Sequence, residues 1–303
     1  MICKEVAYDL AMNEWKALLD SGTLSAEQTK TARIRRAGLK AEKNMAYYLN
    51  AELGGKAELL VFNNLKFTHR DLTAQIDHLV LSRWSAYFIE TKSVSGKINI
   101  SADGQWARSY GKGRYDNFES PLAQNRRHQI LLFEMLESRV PEFMGKILGM
   151  QKYFGRVIDI RHYVAISVEA TIQGKGKKAV AEYLRRLDEI PKEIHDHHQA
   201  VRSSTLGSLL AEVGNPKTKK RDPAFTKQEL DACRQLLLDV DISQTPLALV
   251  HEFIESLPEQ TTPRCPKCDS DMILRTAKRG QRKGNKFYGC TRYPKCKETI
   301  DVD

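Results

Sequence analysis

Apolar positions in the first half of the chain change from helical to strand spacing near residue 55. Ser25-Ala-Glu-Gln28 has capping-box form and predicts a helix running to about Leu53, where Gly54-Gly55 stops it. On this helix Met45, Ala46 and Leu49 follow Glu42 by three, four and seven positions, so a carboxylate stands in the apolar stripe. Strand-like runs follow at Glu58–Asn63, Ala74–Ser82, Tyr87–Lys92 and Lys97–Ile100. Ser120-Pro121 predicts a helix start, with serine as the cap and proline at the first helical position, and that helix extends to about Ser138. Arg161–Val168 reads as a buried strand, and Gly174–Lys178 as a basic loop leading into a helix to about Leu187. A shorter helical stretch at Glu14–Leu19 precedes these elements. A polar, basic linker from about Ser203 to Pro223 and two short helices, Thr226–Leu238 and Pro246–Ser256, follow them. The order predicts an α/β fold: a mixed sheet flanked by helices, then a helical linker and a small C-terminal module. The expected divisions are 1–30, a helical extension; 31–200, the α/β domain; 201–260, the linker and short helices; and 261–303, the module.

Composition narrows the partner more than the fold. With 41% hydrophobic residues among 303, the chain can bury a sizeable core. No apolar run approaches the roughly 20 residues that cross a bilayer. A net charge of +10 favours a polyanion, and the basic residues are spread through loops with no amphipathic anchor, so nucleic acid is expected and a membrane is not. No secretory signal peptide is recognised, so a reducing, cytoplasmic setting is expected.

That setting decides how the cysteines are read. Cys265 and Cys268, in CPKC, form a tight knuckle whose thiolates converge, and Cys290 and Cys296 close a second, giving tetrahedral sulfur coordination of a structural Zn²⁺. Disulfides are disfavoured by the reducing setting. Redox chemistry is disfavoured because the motif lies among basic turns and not between a strand and a helix. Cys3 and Cys233 are isolated and read as free thiols. Between the knuckles lie Arg275, Lys278, Arg279, Arg282, Lys283 and Lys286, followed by Phe287, Tyr288 and Tyr293. Cations of this kind neutralise phosphates and exposed rings stack on unpaired bases, though in so small a module some rings must cover the metal. The segment from CPKC to FYGCTRYPKC resembles the C-terminal zinc ribbons of bacterial type IA topoisomerases. The resemblance implies DNA binding, single strands in particular. It does not imply topoisomerase activity, for which this chain is too short, so any chemistry lies upstream.

Gln75-Ile-Asp-His-Leu-Val-Leu81 is followed, after a short turn, by Tyr87-Phe-Ile-Glu-Thr-Lys92. Residues two apart on a strand share a face, and the turn at Arg83–Ala86 makes a hairpin, so Asp77, Glu90 and Lys92 can meet. Two carboxylates suit Mg²⁺ or Mn²⁺, and a nearby lysine can orient water or offset charge on phosphate. Glu-x-Lys by itself is ordinary, and an exposed Glu–Lys pair contributes little. Three features set this one apart: strongly apolar strands around both acids, Glu42 in the helical stripe, and Gln124 in the first turn of the Pro121 helix with Arg127 and His128 beside it.

Residues from about Arg35 to Ile172 also resemble the nuclease-related domain (NERD), a branch of the PD-(D/E)XK nuclease-like superfamily. The matching blocks are AEKNMAYYL, QIDHLVLS, YFIETKSVSGKI, Trp106 and FESPLAQNRRH. The resemblance implies a metal-dependent deoxyribonuclease, with Asp77 and Glu90 as metal ligands and Lys92 as the catalytic lysine. It also implies an auxiliary acid at Glu42 and a supporting group at Gln124. Taken with the ribbon, the expected partner is single-stranded or branched DNA. Ala41 stands where the family often has glycine, and Ser120 where it has asparagine. The rival expectation is a non-catalytic nucleic-acid-binding or scaffold protein that keeps the fold. Gly111–Arg114 is read as a basic loop, Trp84 and Trp106 as packing residues, and His195, His197 and His198 as a solvated helix face.

Overall fold

The computed structural model describes residues 1–93, 96–109, 114–147, 150–152, 158–167, 170–211, 224–257, 263–277, 279–280 and 284–301, with backbone alone over 204–211. They form two compact units, Met1–Val250 and His251–Asp303.

The first unit opens with β1 (Ile2–Lys4), α1 (Tyr8–Ser21) and α2 (Ala26–Leu53). Three long strands follow: β2 (Leu60–His69), β3 (Leu72–Leu81) and β4 (Ser85–Lys92). After them come β5 (Gly96–Ile100), β6 (Trp106–Ser109), β7 (Tyr115–Phe118), α3 (Pro121–Ser138), α4 (Val140–Phe143) and a small hairpin of β8 (Lys146–Ile147) and β9 (Met150–Gln151). The chain continues through β10 (Asp159–Ile166), β11 (Ala170–Gln173), α5 (Lys177–Val180), β12 (Leu184–Arg186), α6 (Ile190–Ala211) and α7 (Lys227–Asp239). Helix α8 (Pro246–Glu255) carries it into the second unit, a sheet of β13 (Met272–Thr276), β14 (Lys286–Cys290) and β15 (Thr299–Asp301).

The main sheet runs β1-β2-β3-β4-β10-β12, antiparallel from β2 to β4 and parallel from β4 to β12. Strand alternation explains its two cores. Phe62, Leu79 and Phe88 face α3 and α7, while Val61, Val80, Tyr87 and Ile89 face α2 and α6. With an apolar layer on each side, β4 is buried almost throughout. Each such fully buried side chain contributes roughly 1.5–3 kcal/mol. A second sheet, β11-β5-β6-β7, packs Ile98, Ile100 and Trp106 against Leu122 and Val164.

The expected α/β class holds, and so do the local signals. Ser25 and Gln28 form the full capping box, and Ser120 accepts from the Ala123 N–H at the head of α3. Trp84 and Trp106 are buried, and Cys3 and Cys233 are free thiols.

Four readings change. The stretch to Leu187 is a four-residue helix and then strand β12, because β10 offers an open edge on which Leu184 pairs with Val164. Helix α1 is longer than Glu14–Leu19, being seated through Tyr8, Ala11 and Trp15. Helix α6 runs on to Ala211, past the expected linker start at Ser203; residues 212–223 lie outside the described residues, as do 111–113 of the expected basic loop. The histidines of α6 are not a solvated face. His198 is 2% exposed and stacks edge-on against Trp84, while His197 Nδ1 pairs with the Tyr87 hydroxyl at 2.8 Å. These rings pack between α6 and the sheet beside Ile190 and Ile194, which a polar-looking HDHH string conceals.

Candidate functional site

Pairing of His78 with Ile89 makes Asp77 and Glu90 the next opposed positions on β3 and β4. The ladder breaks at this level on the other side of β3. Asn64 of β2 takes a left-handed φ of 56°, and no pair forms between the Asn63–His78 and Leu65–Ile76 pairs. The Thr91 N–H donates to Asp77 Oδ2 at 2.8 Å, fixing that carboxylate beside β4. Glu90 is only 2% exposed, carried inward by the apolar strand around it. Lys92 Nζ donates to Glu90 Oε1 at 2.6 Å and to Gln124 Oε1 at 3.2 Å, tying β4 to the first turn of α3.

A cleft of about 690 Å³ gathers all five predicted residues, Glu42, Asp77, Glu90, Lys92 and Gln124. Glu42 reaches it because Met45 and Leu49, one and two turns on, pin α2 to the sheet. His128, one turn beyond Gln124, also lines the cleft; burial, then Arg127, lower its pKa, so it is neutral at pH 7. Arg127 does not join them, since it pairs with Glu119 at 2.5 Å. Arg108, Lys66 and Gly38 line the cleft as well. The sequence carried little signal for these three, which reach the cleft from β6 of the second sheet, from β2 and from α2 respectively.

Burial pushes the carboxyls of Glu42 and Glu90 up to about 8, with repulsion from Asp77 adding to both and Lys92 opposing it. Burial raises Asp77 too, against the Thr91 N–H and Lys92. Asp77 and Glu90 are hard oxygen donors of the kind that suit Mg²⁺ or Mn²⁺, whereas Glu42 does not close with them into a three-ligand cluster among the described residues.

A measurable consequence follows from the sign of these shifts. A carboxyl whose folded pKa is raised from 4.5 to about 8 contributes stability that is fully present below 4.5 and lost as pH rises through 8. Thermal melts in chelator are therefore expected to show Tm falling between pH 5 and pH 8. Glu90→Gln is expected to flatten that fall, and added Mg²⁺ or Mn²⁺ to raise Tm more at pH 8 than at pH 5. A wild-type Tm that is level across this range counts against the coupled acid cluster.

In the second unit the four predicted cysteines converge, with all four Sγ atoms within 4.8 Å of one another. Cys265 and Cys296 stand 3.6 Å apart and Cys268 and Cys290 3.5 Å, close to the ~3.8 Å edge of a tetrahedron with 2.3 Å Zn–S bonds. The Asp269 N–H closes the first knuckle on the Cys265 carbonyl at 2.8 Å, and the Arg292 N–H donates to Cys290 Sγ at 3.4 Å in the second. The site fits structural Zn²⁺. Tyr288 packs on the cysteine cluster, whereas Tyr293 is 59% exposed with the Arg275 guanidinium 5.7 Å from its ring centre. Lys278, Arg282 and Lys283 lie outside the described residues.

The architecture is thus a helix-flanked mixed sheet with an acid–lysine cleft, followed by a four-cysteine ribbon. Residues 37–166 match the nuclease-related domain family, and residues 263–303 match the topoisomerase DNA-binding C4 zinc finger, so the chain carries a nuclease-related domain and a C-terminal zinc ribbon. An uncharacterized protein of Bacillus anthracis is 25% identical over 103 residues, which cover 34% of this chain and 48% of that protein. The chain therefore matches about half the length of that relative. No solved structure matches it. No helix among the described residues is long and apolar enough to cross a membrane.

Proposed function

We propose that this protein is a metal-dependent deoxyribonuclease of the cytoplasm that hydrolyses phosphodiester bonds in the β3–β4 cleft and holds DNA with its zinc ribbon. The observation that carries this reading is the position of Lys92, whose ammonium bridges Glu90 and Gln124 beside Asp77. Asp77 and Glu90 would hold the divalent ion, with Glu42 as the auxiliary acid; when bound, the ion supplies Lewis acidity toward a phosphate oxygen. Lys92 orients the attacking water and offsets negative charge as it grows on the phosphate. Gln124 keeps the lysine aimed by accepting one of its three N–H bonds. The buried walls around Glu90 lower the local dielectric and strengthen each of these interactions.

On the ribbon, Arg275 and the exposed Tyr293 present a cation and a ring side by side. That pairing suits unpaired bases and phosphates, hence single-stranded or branched DNA. The test is incubation of the full-length protein with labelled single-stranded, duplex and branched DNA and single-stranded RNA, with Mg²⁺, Mn²⁺ or chelator. Metal-dependent cutting of DNA, fastest on single-stranded or branched forms, is expected. Tight DNA binding with no cutting under any metal would instead identify a binding module that retains the nuclease-like fold.

A further inference from the structure

Arg108 lies on β6, across from Ile98 on β5 and Asp116 on β7, and lines the same cleft as Glu42, Asp77, Glu90 and Lys92. Its guanidinium is poorly supplied with acceptors. One Nη2–H reaches the Ser93 carbonyl at 3.4 Å, at the long end for a hydrogen bond, and the buried Nε–H has no acceptor among the described residues. Asp116 is exposed and makes no ion pair with it, nor does any other carboxylate of the described residues. A half-buried guanidinium with most of its five donors unused is unfavourable until an oxygen-rich ligand completes it.

The charge in the cleft says which ligand. Acidic groups there repel an incoming phosphate, and Lys92 is already bound to Glu90 and Gln124. Lys66 shares the cleft, but as a flexible point charge; a planar fork matches two phosphate oxygens at once. A second feature marks the path of the strand. Gly38 sits in the interior of α2, one turn before Glu42, and lines the cleft. A Cβ placed on it meets no atom within 4 Å, so no neighbour in the fold requires glycine there, although glycine weakens a helix interior.

We propose that Arg108 grips a phosphate of the strand in the cleft and that this strand passes against the bare backbone of α2 at Gly38. The assignment rests on the nuclease reading for its substrate class, and names the groups that hold that substrate apart from those that cut it. Arg108 is then a binding residue and not part of the hydrolytic set.

The experiment compares full-length wild type, Arg108→Ala, Arg108→Lys and Gly38→Leu on a single-stranded oligonucleotide, with thermal melts to establish folding. Single-turnover cleavage in Mn²⁺ is read as half-saturating DNA concentration and saturating rate, and equilibrium binding of the zinc-loaded protein, without added Mg²⁺ or Mn²⁺ and without chelator, is read across a salt series. Arg108→Ala is expected to raise half-saturation about tenfold or more, with a smaller change in saturating rate. It is also expected to reduce the salt slope by about 0.7, one phosphate contact on a single strand. Arg108→Lys should recover part of the affinity, and Gly38→Leu should raise half-saturation without altering the salt slope. Unchanged half-saturation and slope in folded Arg108→Ala or Arg108→Lys would overturn the assignment while leaving the nuclease reading intact. If wild type does not cut, that reading fails by itself, and the salt series of binding without added Mg²⁺ or Mn²⁺ still decides whether Arg108 holds phosphate.

Discussion

Asp77→Ala, Glu90→Ala and Lys92→Ala are each expected to lower single-turnover DNA cleavage by on the order of 10²–10³ or more, the scale at which a group acting chiefly in the transition state is lost. The three should differ in stability. Glu42 and Asp77, half-buried, and Glu90, buried, repel one another across the cleft, so removing Glu90 or Asp77 relieves strain in the metal-free protein. Lys92→Ala does the reverse, because it strips Glu90 of the ammonium 2.6 Å away and leaves a carboxylate at 2% exposure without that partner. At pH 8 in chelator, Tm is therefore expected to rise for Glu90→Ala and to fall for Lys92→Ala, while both lose activity. Gln124→Ala and Glu42→Gln should have smaller kinetic effects, since Gln124 acts through Lys92 and Glu42 stands apart from the pair on β3 and β4. Wild-type cleavage by Glu90→Ala, with contaminating nuclease excluded, would remove the proposed centre altogether.

Cys290→Ser is expected to release zinc and unfold the ribbon. Among the described residues the ribbon's apolar cluster holds Met272 and the four cysteines, with Tyr288 and Ile300 packed on it, far too little to offset the entropy of ordering three short strands. Metal binding must supply the difference, and structural Zn²⁺ contributes on the order of 10 kcal/mol in comparable small sites. Elemental analysis should find about one zinc per chain in wild type and none in Cys290→Ser. Chelation of the wild type should reproduce the variant's loss of ribbon structure and of DNA affinity. The nuclease-related unit should keep its melting transition, since its cores contain none of these cysteines. A Cys290→Ser protein that keeps both zinc and DNA affinity would refute the ribbon assignment.

Much of the candidate site was legible because its parts are coded locally. The ribbon ligands announce themselves through knuckle spacing, which turn geometry alone enforces. Asp77, Glu90 and Lys92 were legible because two apolar strands joined by a four-residue turn can pair in few ways, and period-two alternation then puts the three groups together. Gln124 followed from the cap at Ser120, whose hydroxyl and backbone position the first turn of α3.

The remainder depends on partners far away in the chain. Residues 184–186 became a strand because β10 presented unpaired backbone groups at an open edge, and hydrogen bonding there outweighed local helical preference. Asn64 took its left-handed turn at the level of Asp77, a feature set by the distortion of a long hairpin and not by any short motif. His197 and His198 were drawn inside by Tyr87 and Trp84, about 110 residues away. Helix α7 packs Leu230, Cys233 and Leu237 into the main core, against strands more than 100 residues earlier in the chain. Spacing and alternation, which act over a few residues, were enough to name the acids, the lysine and the zinc ligands. Bringing Glu42 from α2, Gln124 from α3 and Arg108 from the second sheet into one cleft required the packed sheets, because only burial shared between distant segments can set those distances.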